Sequence, residues 1–284
     1  MMGTRLSARD GDRRYIIERV GGGSINECYK VRDGNRILFC KQNSAQKFPE
    51  LFEKEKKGLE LIRKLELVQT PEIIDCYQEN DRQFLLLEWI TEGRRSPEFW
   101  KNFGAQLAEM HLLKTERFGW HEWNYMGSIV QVNEPTIGWT DFFIQQRIEP
   151  LLKQCSQHQL ISIKDRLKIE KLYNKFPEVF DPNEKPCTVH GDLWSGNFLC
   201  NEKEQPVLID PAAYYGHRSV DLAMTTLFGG FDTAFYEAYH YHYPFPLNYK
   251  DQWQVCNLYP LLIHLLLFGK SYLISIQKTL EQFA

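Results

Sequence analysis

The stretch His190-Gly191-Asp192-Leu193-Trp194-Ser195-Gly196-Asn197 decides how this chain is read. Thr188-Val189-His190 reads as a short strand leading into it, and residues 198–200 as another leading out. Asp192 and Asn197 therefore ride a tight loop between strands. Residues 207–210 pair with the second strand and bring Asp210 to a strand end. Transfer of a phosphoryl group to a hydroxyl needs a carboxylate that orients the hydroxyl and accepts its proton, and oxygen ligands for Mg2+ on the phosphates. Asp192 suits the first part; Asn197 and Asp210 suit the second.

Working outward, the pattern changes near Thr91. Before it, short β-like runs surround one helix; after it, helical periodicity dominates. Residues 15–20 read as a strand that Gly21-Gly22-Gly23-Ser24 breaks, and 27–32 and 36–41 as the next two, turned at Asp33-Gly34-Asn35. A helix over about 49–67 follows, with Pro49 in its first turn. Residues 72–78 and 83–90 form a second hairpin. Further helices are predicted over 97–113, 139–154, 163–176 and most of the chain beyond Val220. In the first of these, Trp100, Phe103, Leu107 and Met110 share one face. The divisions that follow are a polar leader 1–14, a nucleotide-binding lobe 15–90 and a catalytic and substrate lobe 91–284.

The first lobe supplies candidates of its own. Gly21, Gly22, Gly23 and Ser24 sit between two strands and lack the Gly-Lys-Ser/Thr ending of a Walker loop. That context suits a flap of backbone amides over phosphates; a purely structural glycine turn is the other reading. Lys41 ends the third strand, within reach of nucleotide phosphates or, alternatively, solvated. Glu55 falls on the apolar stripe of Phe52, Leu59 and Ile62, whereas Glu53, Lys54, Lys56 and Lys57 lie off it. A carboxylate on a buried face is costly unless paired, and Lys41 is the natural partner. Glu88-Trp89-Ile90 ends an apolar strand at the connector between the lobes, where main-chain groups can meet an adenine edge or simply continue the core.

Composition excludes other classes. The 284 residues carry a formal net charge of −3 and no long basic run, so no nucleic-acid partner is expected. The apolar run 259–268 is too short to span a bilayer, and residues 1–14 lack the apolar centre of a secretory signal; a cytoplasmic protein is expected. Seven cysteines without a Cys-x-x-Cys pair suggest neither zinc nor a disulfide framework. Cys28, beside the glycines, is the one thiol placed for a redox role; a buried reduced thiol is the alternative.

Taken together, the chain resembles the fructosamine kinase (ketosamine 3-kinase) family within the protein-kinase-like group, which also holds aminoglycoside phosphotransferases and choline kinases. The resemblance runs from about Ile16 to the C-terminus. It is carried by Gly21-Gly22-Gly23-Ser24-Ile25-Asn26, Phe52-Glu53-Lys54-Glu55, residues 104–111, the loop 190–197, Asp210-Pro211-Ala212, Tyr215-Gly216-His217 and Phe228-Gly229-Gly230-Phe231. It implies an α+β, protein-kinase-like two-lobed fold with an antiparallel-sheet N-lobe and a mainly helical C-lobe. It implies ATP at Glu88, Trp89 and Ile90, Asp192 as proton acceptor, and phosphorylation of the O3 hydroxyl of a ketosamine. The 3-phosphate then eliminates and frees the amine, a repair of glycated amines or proteins. Ser24 stands where some relatives have a cysteine. Between Asp210 and the helix predicted near Ser219 there is little room for a protein kinase's activation segment. Asp221 at that helix start can hold the catalytic loop by its amides or serve as a plain first-turn acid. Trp194 and His217 line a sugar pocket or pack the core. The rivals are a kinase for another small molecule, such as an aminoglycoside or choline, and a non-catalytic nucleotide-binding protein. The residues say nothing of monomer or dimer.

Overall fold

The computed structural model describes residues 16–21 and 25–283. The leader 1–14, the first residue of the strand read from Tyr15, and Gly22, Gly23 and Ser24 of the glycine turn lie outside the described residues.

Strands β1 (Ile16–Val20), β2 (Glu27–Asp33), β3 (Arg36–Ser44), β4 (Ile73–Glu79) and β5 (Arg82–Glu88) form one antiparallel sheet, in the order β1-β2-β3-β5-β4. Alternation along β3 buries Leu38 and Cys40 with Val31, Phe84 and Leu86 on one face. Phe39 and Lys41 therefore share the other. Helix α1 (Leu51–Arg63) covers that side, packing Phe52 and Leu59 on Leu85 and Leu87. The helix starts two residues later than its proline suggests. Glu50 takes a left-handed backbone, φ 55°, and buried Gln83 does the capping. Gln83 Oε1 accepts the Phe52 N–H at 3.2 Å, while its Nε2 donates to the Phe48 carbonyl at 2.5 Å.

Helix α2 (Pro97–Leu112) opens the second part, with the Ser96 hydroxyl accepting the Phe99 N–H at 3.2 Å. A small hairpin follows, β6 (Asn124–Met126) with β7 (Ile129–Gln131), which the hydrophobic pattern does not announce. Helix α3 (Trp139–Phe143) passes through a wider π turn (Ile144–Ile148) into α4 (Glu149–Gln157). Pro150 has no N–H to give the preceding turn, which accounts for the break in what reads as one helix. Helix α5 (Ile163–Leu172) continues through a 3-10 turn into α6 (Phe176–Val179). Two short ladders pair β8 (Cys187–Val189) with β11 (Tyr214–Gly216), and β9 (Phe198–Cys200) with β10 (Pro206–Leu208). Helices α7 (Ser219–Leu227), α8 (Thr233–His242), α9 (Tyr249–Phe268) and α10 (Leu273–Gln282) complete the chain.

Two cores hold this part together. One joins α3, α4, α7 and α9 through Phe142, Phe143, Leu152, Ala223, Leu258 and Leu262. The other is aromatic: Phe99 and Phe103 of α2 meet Phe198 of β9, Phe231 and Phe235. It seats the strand that leaves the Asp192 loop directly on a helix face. Among the described residues no helix is long and apolar enough to cross a membrane.

Candidate active site

The cleft between the sheet and the helical part encloses about 580 Å³. Its walls include Gly21, Lys41, Glu55, Glu88, Trp89, Ile90, Asp192, Trp194, Asn197 and Asp210. Residues distant in the chain are brought together here: Lys41 lies inside β3, which runs on to Ser44 instead of ending at the lysine, Glu55 is on α1, and Asp192 and Asp210 follow the ends of β8 and β10.

Lys41 is the centre of charge. Its Nζ lies 2.7 Å from Glu55 Oε1 and 2.6 Å from Asp210 Oδ1, and its side chain is 2% exposed. Burial alone would lower the ammonium pKa; the Asp210 and Glu55 carboxylates more than offset it, so the lysine stays charged. Burial pushes the Glu55 carboxyl up to about 7, against the pull of Lys41. Asp210 itself holds a left-handed backbone, φ 54°, a conformation that disfavours most side chains.

The loop of Asp192 is held from beneath. Asp221, at the start of α7 and fully buried, accepts the His190 N–H at 2.7 Å and the Gly191 N–H at 2.8 Å. The sequence allows a plain first-turn acid; the structure makes Asp221 the anchor of the loop. His111 Nε2 stands 3.3 Å from the same carboxylate, and its Nδ1 lies 2.9 Å from the Tyr239 hydroxyl. Gly191 has φ 82°, and a Cβ there would sit 2.3 Å from the Ala212 carbonyl. Only glycine lets the segment after Asp210 approach so closely.

His190 links the two halves of the site. Its Nδ1 accepts the Asp192 N–H at 3.3 Å, so Nε2 carries the proton that is donated to the Ile209 carbonyl at 2.9 Å. Burial lowers the His190 pKa and keeps the ring neutral. Asn197 Nδ2 donates to the Asp192 carbonyl at 2.8 Å and to Asp192 Oδ2 at 2.9 Å. Its amide carbonyl oxygen is left for another partner. The Ile209 N–H in turn bonds the Asn197 carbonyl at 3.1 Å, which sets Asn197 beside Asp210. Burial pushes the Asp192 carboxyl well above its ordinary pKa, with the Asn197 bond opposing. A carboxylate shifted in this direction holds an accepted proton more readily, which suits a proton acceptor.

Two of the expected residues separate. Trp194 lines the cleft, its ring lying over Gly196, where a Cβ would come within 2.3 Å of the indole, and its ring centroid 6.0 Å from that of Phe228. His217 is not brought there. It is fully buried between Trp139 and Phe180, with Nε2 3.0 Å from Glu184. Burial would raise the Glu184 carboxyl, but His217, Arg218 and Lys114 bring it down to about 2. Cys28 sits buried on β2, and burial pushes its thiol up to about 11, away from a reactive thiolate.

Sequence reasoning missed several lining residues. Phe39, Leu87, Leu199 and Ile209 give the cleft apolar walls, and Asn124 and Tyr125 reach it from the β6–β7 hairpin. Phe39 was within reach of the pattern, two positions before Lys41 on one strand face. Asn124 and Tyr125 carry no local signal, since only tertiary packing brings the hairpin there.

The fructosamine kinase family profile matches residues 6–284. The chain belongs to the fructosamine kinase family. A probable ketoamine kinase of Synechocystis sp. is 36% identical over 98% of this chain and 94% of its own length. A crystal structure from Thermobifida fusca, described provisionally as a fructosamine-3-kinase, superposes with a TM-score of 0.86 at 31% identity, covering 95% and 93% of the two chains. The fold is the two-lobed protein-kinase-like one. It is shared at 11% identity with a thermostable mutant of aminoglycoside phosphotransferase APH(4)-Ia in ternary complex with AMP-PNP and hygromycin B, TM-score 0.67 over 96% of each chain. This fructosamine kinase family member is thus a transferase of the kinase type.

Proposed function

We propose that the chain is an ATP- and Mg2+-dependent kinase for the O3 hydroxyl of ketosamines, releasing amines, free or on proteins, from glycation. The observation that carries this reading is the Lys41 ammonium held between Glu55 and Asp210 in the cleft where Asn197 braces Asp192. Adenine would enter between Phe39, Leu87 and Ile209 and reach the main chain at Glu88, Trp89 and Ile90, with Gly21 toward the phosphates. Lys41, oriented by Glu55, would contact those phosphates. Trp194 would flank the sugar; His217 would support the pocket through Glu184 instead of touching substrate.

The donor set fits Mg2+. Asp210 offers a carboxylate and Asn197 an amide oxygen whose NH2 is already committed. Among the described residues no cluster of three or more His, Cys, Asp or Glu could hold a metal by protein alone. Mg2+ is ordinarily held by one or two carboxylates with waters and substrate phosphates completing its shell. When bound, it neutralises charge on the transferring phosphates. Asp192 accepts the O3 proton, the O3–P bond forms, and the bond from the γ-phosphorus to the bridging oxygen breaks as ADP leaves. The requirement for ATP would be met in the cytoplasm, where we place the reaction.

ATP consumption with fructose-, ribulose- and erythrulose-derived amines tests the reading, with choline and an aminoglycoside as controls. Phosphorylation of choline and of no ketosamine sinks it. The Asp192→Asn variant should lose roughly 10²–10⁴ in kcat, the usual weight of a general base, while binding ATP normally by calorimetry. Full turnover in that variant removes Asp192 from the role.

A further inference from the structure

Lys41 depends on two carboxylates that arrive on different elements, Glu55 on α1 and Asp210 after β10. Something must fix α1 against the segment of Asp210. In this chain residues 214–216 between Asp210 and α7 are already spent on strand β11, so no long segment is left there to do so.

The β6–β7 hairpin and the turn before it touch both sides. Toward α1, Glu122 accepts Lys54 Nζ at 2.8 Å and Lys57 Nζ at 2.5 Å. These bonds, to Lys54 and then Lys57, bring the Glu122 carboxyl down to about 2. Lys54 sits over the Trp123 ring at 4.4 Å, and it also lies 3.7 Å from Glu50. It is buried, although the helical pattern sets it off the apolar stripe. Tyr125 Oη donates to the Pro49 carbonyl at 3.0 Å, just ahead of the helix.

Toward Asp210, buried Asn124 donates to the Ala213 carbonyl at 2.8 Å and buried Gln131 to the Ala212 carbonyl at 3.1 Å. Gln131 also donates to Asn124 Oδ1 at 2.8 Å, and the Tyr259 hydroxyl donates to Gln131 Oε1 at 2.9 Å. Buried Arg147 grips Asn133 Oδ1 and the Val132 carbonyl at 2.5 and 2.6 Å. The hairpin is therefore a stiff bracket with one end on α1 and the other two residues past Asp210.

We propose that Glu122 is a positioning residue: through Lys54 and Lys57 it holds helix α1, and with it Glu55, in register with Asp210 across Lys41. The proposal rests on the reading of Lys41 as the phosphate-contacting lysine. A lysine fixed by both carboxylates is preorganised; one fixed by a loosened helix must be reordered at each turnover.

The experiment compares Glu122→Ala and the milder Glu122→Gln, each alone and combined with Glu55→Gln, and the Lys54→Met/Lys57→Met double variant. Glu122→Ala should lower kcat on the order of tenfold and leave the acceptor KM unchanged. The double lysine variant should reproduce that loss. In the Glu55→Gln background, removing Glu122 should cost nothing further, since the effect passes through Glu55. A wild-type kcat, or losses that multiply with Glu55→Gln, overturns the proposal. Hydrogen exchange judges it without activity: amides of residues 51–63 should exchange faster in Glu122→Ala and in Glu122→Gln, those of α2 unchanged. Unaltered exchange over 51–63 also overturns it. A wild-type enzyme that phosphorylates no ketosamine sinks the functional reading alone, and the exchange result still stands.

Discussion

Asp192 is held where an ionised carboxylate is least welcome, and the fold bears a cost for it. Its pKa is raised by burial above its unfolded value, about 3.9 for an aspartate. A carboxyl shifted in that direction binds protons more readily folded than unfolded. Stability enjoyed below pH 4 is then lost as the pH rises toward the folded pKa. Asp192→Asn keeps the shape and removes the charge. The variant should unfold at higher urea than the wild type at pH 8, with the difference shrinking toward pH 4. A difference independent of pH would place the destabilising charge elsewhere. The same substitution, expected to cut turnover, should thus stabilise the protein, as where a site is tuned at the expense of the fold.

At the scale of elements, what the sequence made legible was local. The turn at Asp33-Gly34-Asn35 and the shared face of Trp100, Phe103, Leu107 and Met110 each act within a few residues, and β2, the start of β3 and α2 fall close to where they are expected, whereas β3 runs three residues past Lys41. Glu55 was legible because the cost of a buried charge demands a partner. The start of α1 was not, because its cap is Gln83, more than thirty positions away on β5. The hairpin at 124–131 was not either, since its three-residue strands are fixed by bonds to Ala212 and Ala213. For His217 the sequence left pocket and core both open, and its burial beside Glu184, from a different part of the chain, decides for the core. Gly104 shows the same limit. It reads as a weak point in α2, yet a Cβ there would lie 2.1 Å from the Phe235 carbonyl of α8. Gly104→Ala improves helix propensity but forces α2 and α8 apart. It should destabilise the protein by about 2–3 kcal/mol, the upper range of overpacking, in urea unfolding. A gain in stability instead would mean that the two helices can separate without loss.

Across the whole molecule, Lys41 is one point at which the two lobes meet through charge, the pairing of Lys54 and Lys57 with Glu122 being another. One of the carboxylates on Lys41 rides on the sheet lobe's helix and the other on the catalytic lobe. The Lys41–Asp210 contact occupies one carboxylate oxygen of Asp210, Oδ1, while the side chain remains 36% exposed in the cleft. A nucleotide whose phosphates meet Lys41 therefore engages both lobes, and its binding energy appears as global stability. At a concentration a hundredfold above Kd that amounts to about 2.7 kcal/mol, several degrees of Tm in a chain of this length. The metal should add to this only through the oxygen pair Asp210 and Asn197. We therefore expect a non-hydrolysable ATP analogue to raise Tm in the wild type, and to raise it further with Mg2+. Asp210→Ala should keep the metal-free increment, which draws on Lys41 and the apolar walls, and lose the metal-dependent one. Asn197→Ala should lose part of the latter and, by freeing Asp192 Oδ2, part of the turnover as well. Equal Mg2+ increments in wild type and Asp210→Ala would place the metal away from Asp210.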